Sequence, residues 1–311
     1  MREAGPALPV TLGEEVQAAR REGRAVVALE TAILCHGLPR PLNLGTARAA
    51  EQAVRGLGAA PATCAVIEGR LRVGLDSPAL EALSRADGVA KLSRADLAAC
   101  LATGGTGALT VAATMIAARA AGVEVFATGG IGGVHRGASR SFDVSADLHE
   151  LARTPITVVA SGAKAILDLP ATLEVLETLG VPVIAVGQDA LPAFWSRDSG
   201  LPAPLRMDDS AAIARAHRAR RALGLDGGQL VANPVPEADE VPPATLAPLV
   251  ERATAEAEAE GVRGKAVTPW ILSRLVSLTE GRTLDANVAL VLANARLAAR
   301  IARELDALPP M

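Results

Sequence analysis

Three lysines stand in a chain whose other 28 basic residues are all arginine. That bias, together with abundant alanine, suggests a GC-rich coding background in which replaceable lysine drifts to arginine, so Lys91, Lys164 and Lys265 draw attention first. A guanidinium stays protonated and can be neither an amine nucleophile nor a compact ammonium against a phosphate. Lys164 follows the apolar run Ile156–Ala160 in ITVVASGAKAILD, where a buried strand is expected to deliver it to the start of a helix. An amine in such an apolar place suits Schiff-base or other covalent chemistry. A structural lysine would more often extend its head from a helix end into water.

Glu30 closes another apolar run, in VALETAILCHG. A carboxylate directly after a strand sits at the mouth of a sheet, partly desolvated, where its pKa rises towards the range of a general acid or base. Taken alone, the motif reads equally well as a capping or ion-paired glutamate, with His36 a loop residue bonded to backbone. A third motif, FATGGIGGVHRG, places four glycines ahead of His135 and Arg136 and a fifth directly after them. Backbone amides there are expected to approach an anion that the two side chains neutralise, although GxGxxG spacing is absent. Upstream, GGTG at 104–107 precedes a helix beginning near Thr110, a second place for an anion. In SFDVSADL, Asp143 and Asp147 are four apart with Ser145 between; this suits either a hard, mostly hydrated Mg or Mn ion or a plain helix cap.

These residues need a rigid frame, and the composition allows one. Of 311 residues, 50% are hydrophobic and 21% charged, enough for a large core. The net charge of -3, with three Phe, two Trp and no Tyr, leaves little with which to hold nucleic acid. Cys35, Cys64 and Cys100 are odd in number and widely spaced, which fits a reducing, cytoplasmic setting better than a disulfide framework. The first ten residues carry no apolar core of signal-peptide length, so export is not expected. The uncharged stretch Leu97–Ala118 is broken by TGGTG and is read as two elements around a loop, not as a membrane span.

Apolar runs at Val26–Leu29, Thr63–Ile67, Val123–Ala127, Ile156–Ala160, Pro182–Val186 and Leu230–Ala232 alternate with amphipathic helical stretches, the last over Leu284–Leu305. The expectation is an α/β protein: a single-domain α/β/α sandwich over 1–311, core about 24–303, with a largely parallel central sheet. A hairpin over Val66–Val73 adds an antiparallel edge. Phe194 and Trp195 sit in a proline-rich connection, Leu191–Pro204, and are read as its hydrophobic anchor rather than as a substrate platform.

The same motifs, in the same order from about Val26 to about Ala299, resemble the pseudouridine-5'-phosphate glycosidases. The likeness runs through ALETAILCHG, VAKLSRADL, TVAATMIAA, FATGGIGGVHRGASRSFDVSADL, ASGAKAILDLP, ALPAFW, GKAVTP and NVALVLANA. It implies an α/β/α homotrimer that cleaves the carbon–carbon glycosidic bond of pseudouridine 5'-phosphate, giving uracil and ribose 5-phosphate, with a divalent ion, Mn2+ or another such as Mg2+. By resemblance, Glu30 falls on the proton donor, Lys164 on the nucleophile and Asp143 on the metal ligand. Lys91, Val111, Ser145, Ala146 and Asp147 fall on substrate-binding positions and Asn287 on a uracil contact; His135 is added as a phosphate ligand. The chain departs from the family pattern with ETAI for ESTI, and with Leu34-Cys35 where isoleucine and serine are usual.

The residue chemistry agrees. A carbon leaving group cannot be released by protonating oxygen or nitrogen, so a pair of glycosidase carboxylates would not suffice and an electron sink is needed. A lysine amine supplies one. Two other readings share these residues: a Schiff-base aldolase or other sugar-phosphate lyase, and a sugar-phosphate sensor that binds without turnover. A sensor would have no use for a competent amine at Lys164.

Overall fold

In the computed structural model, which describes residues 10–309, the sequence pattern becomes one extended sheet wrapped by helices. Its strands are β1 (Val10–Leu12), β2 (Val26–Leu29), β3 (Ala60–Ile67), β4 (Arg70–Val73), β5 (Ala90–Leu92), β6 (Gly107–Leu109), β7 (Val125–Ala127), β9 (Thr157–Ala160), β11 (Val183–Val186), β12 (Leu205–Met207) and β13 (Gln229–Ala232). A separate two-stranded ribbon joins β8 (Val134–His135) to β10 (Leu167–Asp168). In the main sheet the order is β1-β4-β3-β2-β7-β9-β13-β11-β12, with β5 attached through β6 to β3.

From β3 to β12 every neighbouring pair is parallel. The physical reason is visible in the strands: β9 and β13 are buried at every position, as sheets covered on both faces require, and helices supply the crossovers. The antiparallel edge falls at the expected hairpin, where Val66 pairs with Leu71 and Ile67 with Arg70. Its two-residue turn needs φ > 0 twice; Glu68 and Gly69 adopt +50° and +70°.

The 26-residue helix Arg282–Ala307 lies over β2, β7 and β9 and against the helices Leu42–Arg55 and Ser210–Ala222. Its buried stripe holds Ala286, Leu290, Ala295 and Ala298, but also Asn287 and Asn294, seven residues apart and so on one face. The uncharged stretch from Leu97 divides as expected at its glycines, into the helices Leu97–Ala102 and Val111–Ala120 with β6 between them. Among the described residues no helix is long and apolar enough to cross a membrane. One buried apolar cluster reaches from Val16 to Leu305. Because β2, β7 and β9 run parallel and adjacent, the loops after them open on one edge of the sheet, where α/β folds place their ligands.

Candidate active site

A cavity of about 390 Å³ lies at that edge, and all ten candidate residues line it: Glu30, Lys91, Val111, His135, Asp143, Ser145, Ala146, Asp147, Lys164 and Asn287. The side chain of Lys265 lies outside the described residues.

Glu30 follows β2 and Lys164 comes four residues after β9, with the Thr128-Gly129-Gly130 segment leaving β7 between them. That middle segment holds both. The Thr128 hydroxyl donates to Glu30 Oε1, and Lys164 Nζ donates to the Gly130 carbonyl at 2.8 Å. Burial pushes the Glu30 pKa above the usual carboxylate range, against the opposing pull of Lys164 and the Thr128 hydrogen bond. A carboxyl whose protonated form is favoured in this way is suited to donate a proton. Lys164 is not at a helix start, as expected from sequence. Its backbone N–H donates to Ile131, and the following helix begins only at Leu169, where Asp168 accepts from the Ala171 N–H and Pro170 occupies the first turn. Helix amides therefore contribute nothing to this amine.

The glycine loop also differs from expectation. The anion it cradles is the protein's own. Asp147, 5% exposed, accepts from Gly132 N–H at 2.8 Å with one oxygen and from Ala112 N–H at 2.9 Å with the other. Glycine is required by closeness: a Cβ on Gly132 would lie 2.3 Å from Ser145 Oγ, and one on Gly130 would lie 2.6 Å from the Phe194 ring. Ser145 caps the helix Ala146–Leu151 by accepting from Asp147 N–H at 3.2 Å. Asp147 is thus committed to backbone, shapes its face of the cavity, and adds to the upward push on the Glu30 pKa.

Asp143 is half-buried, next to His135, whose backbone N–H donates to the Asp143 carbonyl at 3.0 Å. Burial pushes the His135 pKa down while Asp143 pulls it up, and the neutral imidazole is favoured. Among the described residues no three His, Cys, Asp or Glu side chains gather to hold a metal. One carboxylate fits a hard divalent ion that keeps most of its water, and would not hold zinc.

Some of the lining escaped sequence reading. Thr110 precedes the helix Val111–Ala120, and its buried hydroxyl has no partner. His36, in the short turn Ile33–Gly37, bonds the backbone at Ala90, as its reading as a loop residue expects, while its buried Nε2 is unpartnered; burial, then Lys91, lowers its pKa. Phe194 is more than an anchor, since its ring forms cavity wall. Asn294 lies behind the site and donates to the carbonyls of Thr128 at 2.8 Å and Gly129 at 3.3 Å, fixing the loop that holds Glu30 and Lys164. The signal for Asn294 was its sevenfold spacing from Asn287 in an apolar helix.

The geometry can be set beside known proteins. Residues 15–304 match the indigoidine synthase A like protein family. Curated relatives from Jannaschia sp. (strain CCS1) and Paracoccus denitrificans (strain Pd 1222), both named pseudouridine-5'-phosphate glycosidase, are each 66% identical. The first match covers 96% of this chain and 99% of the relative, the second 94% and 97%. The chain belongs to the pseudouridine-5'-phosphate glycosidase family. Its fold recurs in the prealnumycin C-glycosynthase AlnA, solved in complex with ribulose 5-phosphate, at a TM-score of 0.89 and 39% identity over 97% of this chain and 98% of that one. An indigoidine synthase A-like protein from Thermotoga maritima gives the same TM-score at 35% identity, covering 98% and 99%. The glycosidase family and the α/β architecture expected from sequence therefore hold.

Proposed function

We propose that the chain cleaves pseudouridine 5'-phosphate at its carbon–carbon glycosidic bond, releasing uracil and ribose 5-phosphate through a ring-opened lysine Schiff base. The observation that carries this reading is the pairing of a buried, high-pKa carboxyl with a lysine amine across one loop of one cavity.

The Lys164 amine bonds to the anomeric carbon as the bond from that carbon to the ring oxygen breaks, the oxygen leaving with a proton. The nitrogen lone pair then forms a carbon–nitrogen double bond, and the electron pair of the carbon–carbon bond moves to uracil carbon 5. Glu30 supplies the proton that carbon accepts. Water adds to the resulting iminium, ribose 5-phosphate departs as the aldehyde, and Lys164 is regenerated. Lys91, the half-buried His135 and the first turn of the Val111–Ala120 helix, with the open hydroxyl of Thr110, are the groups we assign to the phosphate. Ser145 and Ala146 bound the sugar, and Asn287 meets the base. A Mn2+ or Mg2+ ion, with Asp143 as its protein ligand and water in most other positions, would supply positive charge to the substrate's oxygens.

Homotrimer formation, a cytoplasmic setting and a role in pseudouridine catabolism complete the reading, on the strength of the resemblance. The same residues run in reverse would join uracil to ribose 5-phosphate, and a structural neighbour is named a C-glycosynthase.

The test is direct. Purified protein with pseudouridine 5'-phosphate and manganese should release uracil, whereas aldol substrates should remain intact. Borohydride added during turnover should leave a ribose-phosphate mass on the peptide carrying Lys164 and none on those carrying Lys91 or Lys265. No uracil under any divalent metal would end this reading, and trapping on another lysine would reassign the nucleophile.

A further inference from the structure

Asn287 projects from the long C-terminal helix into the cavity wall, and among the described residues its side chain makes one hydrogen bond to protein. That bond comes from Trp195 Nε1, 2.9 Å from Asn287 Oδ1. A carboxamide has two orientations of nearly equal shape and opposite polarity. The indole N–H is a donor with no acceptor capacity, so a partner at this distance must present oxygen. The Asn287 oxygen is thereby turned away from the ligand space, and what remains for a ligand is the NH2 group, which only donates.

Trp195 is in no position to give way. It is fully buried at 0% exposure, and its ring meets that of Phe194 edge-on at 4.9 Å and 61°. The loop around it is pinned on both sides. Phe194 N–H donates to the Ser161 carbonyl at 2.8 Å, Ser196 Oγ to the Val241 carbonyl at 2.6 Å, and Val241 N–H to the Trp195 carbonyl at 2.9 Å. Phe194 itself adopts φ +61°, a conformation that a bulky residue holds only when its surroundings impose it.

We propose that Trp195 is a positioning residue that locks Asn287 with its amide nitrogen towards the cavity, so that the site selects a ring carbonyl oxygen of the base and rejects a ring amino group in its place. The inference rests on the functional reading above and deepens it: the base must be a pyrimidine dione, because a fixed donor facing an amino group leaves two donors opposed in a buried site. Phe194, beside the same wall, offers an aromatic face to such a ring.

The experiment compares pseudouridine 5'-phosphate with its two analogues in which the 2- or the 4-carbonyl is replaced by an amino group, as ratios of kcat/KM. Wild type should prefer the dione over at least one analogue by tenfold or more. Trp195→Phe removes the indole N–H while keeping an aromatic filler; KM for the dione should rise, kcat at saturation should change little, and the preference should fall about fivefold or further. Asn287→Asp still accepts from Trp195 but offers an acceptor to the ligand, so the preference should fall further and tend towards the amino analogue. A folded Trp195→Phe variant with undiminished preference would overturn the locking role. If that variant does not fold, Asn287→Asp decides alone, and an undiminished preference there overturns the inference. Uracil release by wild type together with either overturning result leaves the glycosidase reading standing; no uracil from wild type removes both.

Discussion

Strand β9 carries a polar cluster at each end, and the two are built to opposite ends. At its start, Thr157 Oγ1 meets His217 Nδ1 at 3.0 Å, His217 Nε2 meets Glu124 at 3.3 Å, and Gln229 Nε2 donates to Thr157 at 3.0 Å. By residue type this carboxylate–imidazole–hydroxyl series resembles a hydrolase triad. Thr157 is 0% exposed, however, and nothing outside the protein can touch it. At the other end of the strand, Glu30 is desolvated while Thr110 Oγ1 and His36 Nε2 stay unpartnered beside a cavity. A buried polar network that no ligand can reach specifies the fold; one that faces a cavity, with a desolvated carboxyl pushed towards its protonated form, is suited to chemistry. The residue types are alike, and each cluster keeps an unpartnered buried atom, Gln229 Oε1 in the first; what separates them is access to a cavity.

The sharpest way to break this contrast is Lys164→Arg. The substitution keeps the charge and is the one this arginine-rich chain would tolerate best if the lysine were structural. We expect a folded protein whose uracil release falls by more than about a thousandfold, since a guanidinium offers no free amine. Substantial activity would place Lys164 on the structural side of the comparison.

Glu30→Gln should separate activity from stability. Loss of the proton donor should lower kcat by about a hundredfold or more. The folded-state pKa of Glu30 lies above its unfolded value, so the stability linked to its protonation is complete below the ordinary carboxylate pKa and is lost as pH rises through the folded value. The glutamine variant should therefore melt higher than wild type at pH 8, with that advantage fading near pH 4. For wild type, the same sign predicts a rate that declines on the alkaline side as the proton is lost. A Tm advantage that ignores pH would show that burial is not what holds the proton on Glu30.

The smallest catalytic effect is expected at the other end of β9. His217→Ala leaves Thr157 and Glu124 short of a partner and should cost about 1–3 kcal/mol, read by denaturant unfolding, with kcat/KM unchanged within twofold. The His217 hydrogen bond is the main cause holding the Glu124 pKa below its ordinary value. Its stabilisation is thus present above the ordinary carboxylate pKa and lost as pH falls through the lowered one. A collapse of activity in folded His217→Ala would show that the two clusters communicate along the strand.

What was legible from residues alone followed local rules. Glu30 after VVAL, the Val66–Val73 hairpin and the split of Leu97–Ala118 at its glycines are short-range events, and each sits where it was read. The errors lay where a partner is distant or a local rule was overlooked. Asp147 was paired with Asp143 as a carboxylate for a metal because its true partners, the amides of Gly132 and Ala112, are 15 and 35 residues away, whereas the local alternative of a helix cap at Ser145 or Asp143 is met by Ser145. Lys164 was assigned to a helix start although Asp168 and Pro170, a cap and a first-turn proline, mark that start further on. No local pattern links Trp195 to Asn287, 92 residues along the chain. The helix Val267–Leu278, which closes one side of the cavity with Thr268, Pro269 and Leu272, also went unread.

The two amide bonds of Asp147 carry one further consequence. A single carboxylate clasps the glycine loop to the first turn of the Val111–Ala120 helix, so two stretches of main chain that face the ligand are set at their spacing when the protein folds. Neither amide is left to turn towards water or a ligand. The shape of this wall is settled by folding, so binding has no main chain to order along it.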